Sequence, residues 1–421
     1  MLVRVAIYII LIFLLVQCSK NIGKDYGKPK QLDYVSVWEQ MRNLDFDFKE
    51  SFVLNAEQKN FVEVLKLILD SDYNQAQEIA NDLYYFTNDS TMKYYSNQVL
   101  TDLLYYESNW SKILDNYKFH TKALEDDDNI MISVEAFSQQ LKEEYVWAAD
   151  SFKVHTIQSV SGAPIIEVKV NGSSFWFWVD TGANYSVIAS DAADICNIIP
   201  LTFERSKALT ATQMKVNYLP AVIDEFQLGD LTVKNHPTII LNDFDLRFRI
   251  FGSNRLTKID GIIGWKLLQN LDITLNYSNN NTIIRKPVKV DSLNNNFFWL
   301  GIPILRLKSP TGRELFFGLD TGMEKSIITD NILEKLYFDN VYWITREEIS
   351  AGGALYNFAD VVPQLDIIID NKPIRIKDVG TGGKMKNYFV RIDGIIGSDV
   401  LLNSIIRLDC TNGYFSYELS E

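Results

Sequence analysis

The chain has few of the side chains that build metal and redox centres: three cysteines and three histidines in 421 residues. His120, His155 and His236 stand far apart, and neither a paired Cys-x-x-Cys nor a His-Glu-x-x-His occurs, so no metal site is expected. The cysteines supply no disulfide framework either. With Cys18 set apart, Cys196 and Cys410 remain, and two buried free thiols are expected rather than a bridge. No long basic run offsets the net charge of −13, which disfavours nucleic acid and anionic lipid surfaces as partners. A Gly-x-Ser-x-Gly elbow is missing. "DVGTGGKMK", Asp378 to Lys386, lacks the spacing of a phosphate cradle and reads as an ordinary loop. Glycine is absent from Tyr34 to Ser161. The N-terminal apolar run, Val5 to Val16, is too short to cross a bilayer as a helix. What is present is 47% hydrophobic and 13% aromatic content, ample for packed domains, and the length suggests two or three of them.

Arg4, the apolar run and the ending "LVQC" have the make-up of a secretory signal. "LVQC" resembles the lipobox of bacterial lipoprotein signals. That resemblance implies lipidation of Cys18 and a body tethered at the cell envelope, outside the cytoplasm. Ser19 resembles an outer-membrane sorting residue, which implies the periplasmic face or the surface. Residues 19–34, polar and carrying Gly23, Gly27 and Pro29, read as a flexible linker.

From residue 35 to about 150, apolar residues recur at helical spacing, as in Phe61, Val64, Leu65, Ile68 and Leu69. Tyr73 and Trp110 occupy corresponding points between helical patterns and resemble a pair of tetratricopeptide-like hairpins. A peptide-docking groove is one reading. A helical domain that spaces the remainder from a membrane is the other and is preferred, because solenoids need about three repeats.

Beyond Ser151, short β-branched and aromatic runs broken by Gly, Asn and Pro predict an all-β region. It contains a repeat. "PIIEVKVNGSSFWFWVDTGANYSVIAS" aligns with "PILRLKSPTGRELFFGLDTGMEKSIIT", and "IDGIIGWKLLQNLDITLNYSNNNTIIRK" aligns with "IDGIIGSDVLLNSIIRLDCTNGYFSYE". The order is the same in both copies, giving two homologous lobes, 151–290 and 291–421. Each carries Asp-Thr-Gly after an apolar strand (Asp180, Asp320), a serine six residues on (Ser186, Ser326) and a downstream Asp-Gly-Ile-Ile-Gly. A carboxylate at the end of a buried strand is costly unless hydrogen-bonded, and the following Gly182 or Gly322 permits a tight turn whose N–H groups face it.

This doubled pattern resembles the aspartic proteases of the retropepsin and pepsin clan. The fold it implies for residues from about 151 onward is an all-β bilobal body with pseudo-twofold symmetry, and with the helical hairpins before it the expected chain is α+β and multidomain. Asp180 and Asp320 would be the catalytic pair. Thr181 and Thr321 would grip the opposite lobe, and Ile262, Ile263, Ile395 and Ile396 would pack beneath the catalytic loops. Trp176, Trp178, Phe316 and Phe317 are expected in the core. Two like charges a few ångströms apart cannot both ionise, so one proton is shared, and endopeptidase hydrolysis then needs neither cofactor nor metal. Ala183 and Met323 stand where pepsins place a hydroxyl that supports the ionised acid, which predicts activity toward weakly acidic or neutral pH. Flap candidates are residues 209–221, with Gln213 near the tip, and residues 349–361, with Gly352 and Gly353; one flap or two is left open. The implied partners are a peptide or protein substrate and, through the lipid, a membrane. Both acids lie in one chain, which implies a monomer. A protease-like peptide-binding lipoprotein without turnover is the alternative.

Overall fold

The computed structural model describes residues 24–26, 34–119, 127–210, 214–249, 256–290, 295–382 and 388–420. The signal segment, Cys18 and Gln213 lie outside the described residues.

Among the described residues, six helices lie between positions 37 and 138: Val37–Arg42, Ala56–Leu69, Tyr73–Phe86, Ser90–Tyr106, Trp110–Phe119 and Asp127–Ser138. Their starts follow from local chemistry. Asn55 accepts from the Gln58 N–H at 2.8 Å while the Gln58 side chain accepts from the Asn55 N–H at 3.0 Å, a reciprocal cap that satisfies two orphan donors. Phe61, Val64, Leu65, Ile68 and Leu69 then fall on one buried face.

This helical part is no detached spacer. Its apolar faces share one core with Phe298, Leu300, Ile302, Ile304, Phe316, Phe389, Val390 and Ile392 of the C-terminal half. Tyr73 and Trp110 are each the first residue of a helix and serve as anchors. The Trp299 N–H donates to the Tyr73 hydroxyl at 2.8 Å, and Trp110 packs on Tyr185 at 6.1 Å. Two expected boundaries need correction. Lys24–Tyr26, inside the expected linker, forms a strand antiparallel to Phe338–Ser350, which gives an edge strand the partner its backbone requires. Glu144–Trp147, inside the expected helical domain, pairs with Leu231–Leu241 of the first β half.

The two β halves repeat one set of pairings. Ser173–Val179 runs parallel to Gly261–Ile263, which is antiparallel to Ser186–Ala189, itself parallel to Leu231–Leu241. In the second half Glu314–Leu319, Gly394–Ile396, Ile327–Ile328 and Lys372–Thr381 stand in the same relations. The halves also share a sheet, in which the C-terminal strands 404–409 and 414–419 continue onto Asp272–Asn276, Asn281–Arg285 and Ser151–Gln158 of the first half. Trp176 departs from expectation: strand alternation turns Phe175, Phe177 and Val179 inward and leaves Trp176 40% exposed. Cys196 and Cys410 are buried free thiols.

Candidate active site

Asp180 and Asp320 each follow the last residue of a buried strand, Ser173–Val179 and Glu314–Leu319. Their backbone N–H groups donate to Ile263 O at 3.1 Å and Ile396 O at 3.0 Å, so each Ile-Ile-Gly segment holds one acid-bearing loop from beside it. The following glycine donates to its own aspartate, Gly182 N to Asp180 Oδ1 and Gly322 N to Asp320 Oδ1, both at 2.9 Å. Met323 N adds a second bond to Asp320 Oδ1 at 2.9 Å.

The glycines have a second reason that the local sequence hides. A Cβ on Gly182 would sit 2.5 Å from Cγ of Asp320, and one on Gly322 would sit 2.5 Å from Cγ of Asp180. Each carboxyl therefore occupies the space where the opposite motif would otherwise carry a side chain. The two carboxyls are close enough that each weighs on the protonation of the other.

The threonines between them cross over. Thr181 Oγ1 donates to Leu319 O at 2.7 Å and accepts from Thr321 N at 3.0 Å; Thr321 Oγ1 donates to Val179 O at 2.7 Å and accepts from Thr181 N at 3.1 Å. Both threonines are buried. Valine in place of either leaves a buried N–H without its acceptor and a carbonyl without its donor. Thr181→Val and Thr321→Val are each expected to cost about 1–3 kcal/mol in denaturant unfolding, by similar amounts. A cost in only one of the two would contradict the reciprocal grip.

Burial raises both carboxyl pKa values, and Asp320 stands well above the ordinary range because the neighbouring Asp180 charge adds to that burial. The pair retains one proton at pH values where an isolated aspartic acid has lost it.

The serines six residues on serve the loops. Ser186 Oγ accepts from Gly264 N at 3.2 Å and Ser326 Oγ accepts from Gly397 N at 3.0 Å. Ser326 donates to Asp399 at 2.6 Å, whereas Ser186 meets His236 Nε2 at 2.8 Å, with Nδ1 of that ring 2.7 Å from Glu143. A Ser-His-Glu chain suggests a nucleophile. Ser186 and His236 are both fully buried, however, so no substrate reaches them and the chain fastens the loop.

The helical part also touches the site. Tyr185, from the loop that carries Asp180, packs edge-on against Tyr105 at 5.5 Å and lies tilted against Phe137 at 5.5 Å. Buried Lys266, two residues after the first Ile-Ile-Gly, donates to Tyr105 O at 2.5 Å and Tyr106 O at 2.8 Å, and burial pushes its pKa down to about 7. These carbonyls end the helix Ser90–Tyr106, where a cation is favoured by the helix dipole. No sequence signal pairs Lys266 with carbonyls some 160 positions away.

The hairpin of Phe338–Ser350 and Gly353–Ile369 turns at Gly352, which has φ +88°, and Gly353, which has φ +137°. Its tip reaches the first half: Gly352 N donates to Asp245 O at 3.0 Å, and a Cβ on Gly352 would lie 2.6 Å from Val216. Val216 belongs to the other candidate hairpin, Ser206–Leu209 with Lys215–Leu228, so the two meet.

Residues 166–267 match the family model described as aspartyl protease. That span holds Asp180, Thr181, Gly182 and the first Ile-Ile-Gly. No curated protein is significantly similar to the chain. Among solved structures, the chain is similar to a retropepsin-like aspartic protease from Rickettsia conorii: 16% identity, 34% of this chain and 93% of the other covered, TM-score 0.22. It is also similar to an aspartic proteinase from Irpex lacteus: 10% identity, 64% of this chain and 98% of the other covered, TM-score 0.40.

Proposed function

We propose that the chain is an aspartic endopeptidase in which Asp180 and Asp320 form the catalytic pair. The observation that carries this reading is the mutual approach of the two carboxyls, each in the space vacated by the other motif's glycine. The aspartyl protease match over 166–267 supports it for the first half, and the repeated pairings extend the same reading to the second, related to the first by a pseudo-twofold axis.

The chemistry follows from one proton shared by two acids. The ionised partner takes a proton from a water held between the carboxyls, and the oxygen of that water adds to the peptide carbonyl carbon. The protonated partner gives its proton to the carbonyl oxygen, forming a gem-diol. When the C–N bond breaks, the acid that deprotonated the water protonates the departing nitrogen. One diol proton returns to the other carboxylate as the new carboxyl group forms, and the pair is restored with one proton. The crossed threonines keep the loops from parting, and the two meeting hairpins act as paired flaps over an extended peptide. Gln213 belongs to the first flap in this scheme, and Gly352 and Gly353 to the second.

The protein is also proposed to act as a monomer at the cell envelope, anchored by lipid on Cys18, with the helical part fixing the loops of both lobes. A protein made with Cys18→Ala should leave the membrane fraction, and one that stays there would refute the anchor.

The raised pair sets the expected pH profile. The alkaline limb of kcat/KM marks loss of the shared proton, so it should lie above the usual aspartic range of about 4, with the maximum at weakly acidic to neutral pH. The profile is measured with a peptide library across pH. A maximum confined to about pH 2 would contradict the raised pair.

A further inference from the structure

The helix Ser90–Tyr106 lies along the junction of the two β halves. Tyr105 stacks on Trp299 of the second half at 5.9 Å and 13°, and meets Tyr185 of the first half. One turn before that end is Asp102, a half-buried carboxylate to which no described residue forms a hydrogen bond or ion pair. A place has been kept for it. Gly301, in the loop after Phe297–Trp299, has φ +76°, and a Cβ there would stand 2.7 Å from the Tyr388 ring and 3.4 Å from Asp102 Oδ2. Loop, tyrosine and carboxylate thus crowd one spot where a side chain on residue 301 would fill the gap. Burial pushes the Tyr388 hydroxyl up to about 12, and the nearby charges of Asp102 and Asp320 add to that.

We infer that Asp102 and Tyr388 form an acidic subsite beside the Asp180–Asp320 pair, and that the preferred substrates are peptides with a lysine or arginine side chain close to the scissile bond. The inference rests on the endopeptidase reading above. A carboxylate left without a donor and largely out of water is costly to keep charged, and a cationic side chain from an extended peptide supplies the missing partner. Among the described residues, the cations nearby are engaged. Arg42 donates to Tyr388 O and Phe389 O, Arg391 pairs with Glu39, and Lys266 is held by the carbonyls of Tyr105 and Tyr106. The helical part would then set specificity as well as support the fold.

Burial pushes the Asp102 pKa up to about 7. An acid raised in the folded state loses stability as pH rises from its unfolded value toward the folded one, so the free carboxylate weakens the fold at pH 8 and not at pH 4. Preference for basic peptides should grow over the same interval, as Asp102 ionises beside Tyr388 and Asp320.

The test uses the full chain in detergent and peptides identical except for Lys, Arg, norleucine or Gln at one position, scanned along the sequence. At one position, the wild-type kcat/KM ratio of Lys or Arg over norleucine is expected to reach about 10- to 100-fold at pH 8. In Asp102→Asn that ratio should fall to near one. The same variant should melt higher than the parent at pH 8 and at the same temperature at pH 4. Wild-type cleavage with no basic preference, or a preference that survives Asp102→Asn, overturns the subsite and leaves the endopeptidase standing. A variant that melts lower at both pH values makes Asp102 a structural carboxyl and overturns the subsite too. Failure to cleave any peptide overturns both readings.

Discussion

Asp180→Asn and Asp320→Asn are each expected to lower kcat/KM for peptide hydrolysis by about 10²–10⁴-fold, the range general acid–base groups contribute. Asparagine keeps the shape and can accept the Gly182 or Gly322 N–H, so the loops should stay in place. It cannot exchange a proton with its partner. Stability should move the other way. Asp320 is held protonated above the ordinary range by burial and by Asp180, and an acid with a raised folded pKa contributes stability that is present below its unfolded value, near 4, and lost as pH rises. Asp320→Asn escapes that loss. It should unfold at a higher temperature than the parent at pH 7 and show no advantage at pH 3. A variant inactive because it misfolds would melt lower at both.

The second large effect concerns the same motif in two environments. Asp393 and Asp260 begin the two Asp-Gly-Ile-Ile-Gly segments. Asp393 is fully buried; it pairs with buried Lys335 at 2.9 Å and accepts from Phe316 N and Asn331 Nδ2, both at 2.8 Å. Asp260 is one-third exposed and stands 3.8 Å from the similarly exposed Lys258. Asp393→Ala strands an ammonium and two donors in the interior and should cost about 3–5 kcal/mol in chemical unfolding. Asp260→Ala breaks a surface pair and should cost about 0–1 kcal/mol. Equal costs would mean that the two carboxylates share one role despite their surroundings.

That contrast marks how far the sequence could be read. Asp-Thr-Gly, the serine six residues on and Ile-Ile-Gly are short strings whose bonds run between segments that recur in each half, so their relative placement was legible. The crossed threonines were implied by resemblance alone, and the reason for each glycine, the other half's carboxyl, appears only when the halves are assembled. Contacts between distant segments left no mark in the pattern. Lys266 looks like a polar residue of a short helix, yet its partners are carbonyls on the helix Ser90–Tyr106. The C-terminal strands read as part of the second lobe and hydrogen-bond to the first. Tyr73 and Trp110 fit a repeat pattern because helix starts recur, while their rings and hydroxyl serve docking. Trp176 could have been placed from strand parity alone, since the burial of Phe175 and Phe177 obliges the residue between them to face out.

The central claim, one proton held between two carboxyls, is tested most directly by carbon-13 NMR of the aspartate carboxyl carbons across pH. The expected result is a coupled pair with two separated steps, the upper one above about 4, replaced in Asp320→Asn by a single step for Asp180. Two independent titrations near 4, unchanged at Asp180 when Asp320 is replaced, would contradict it.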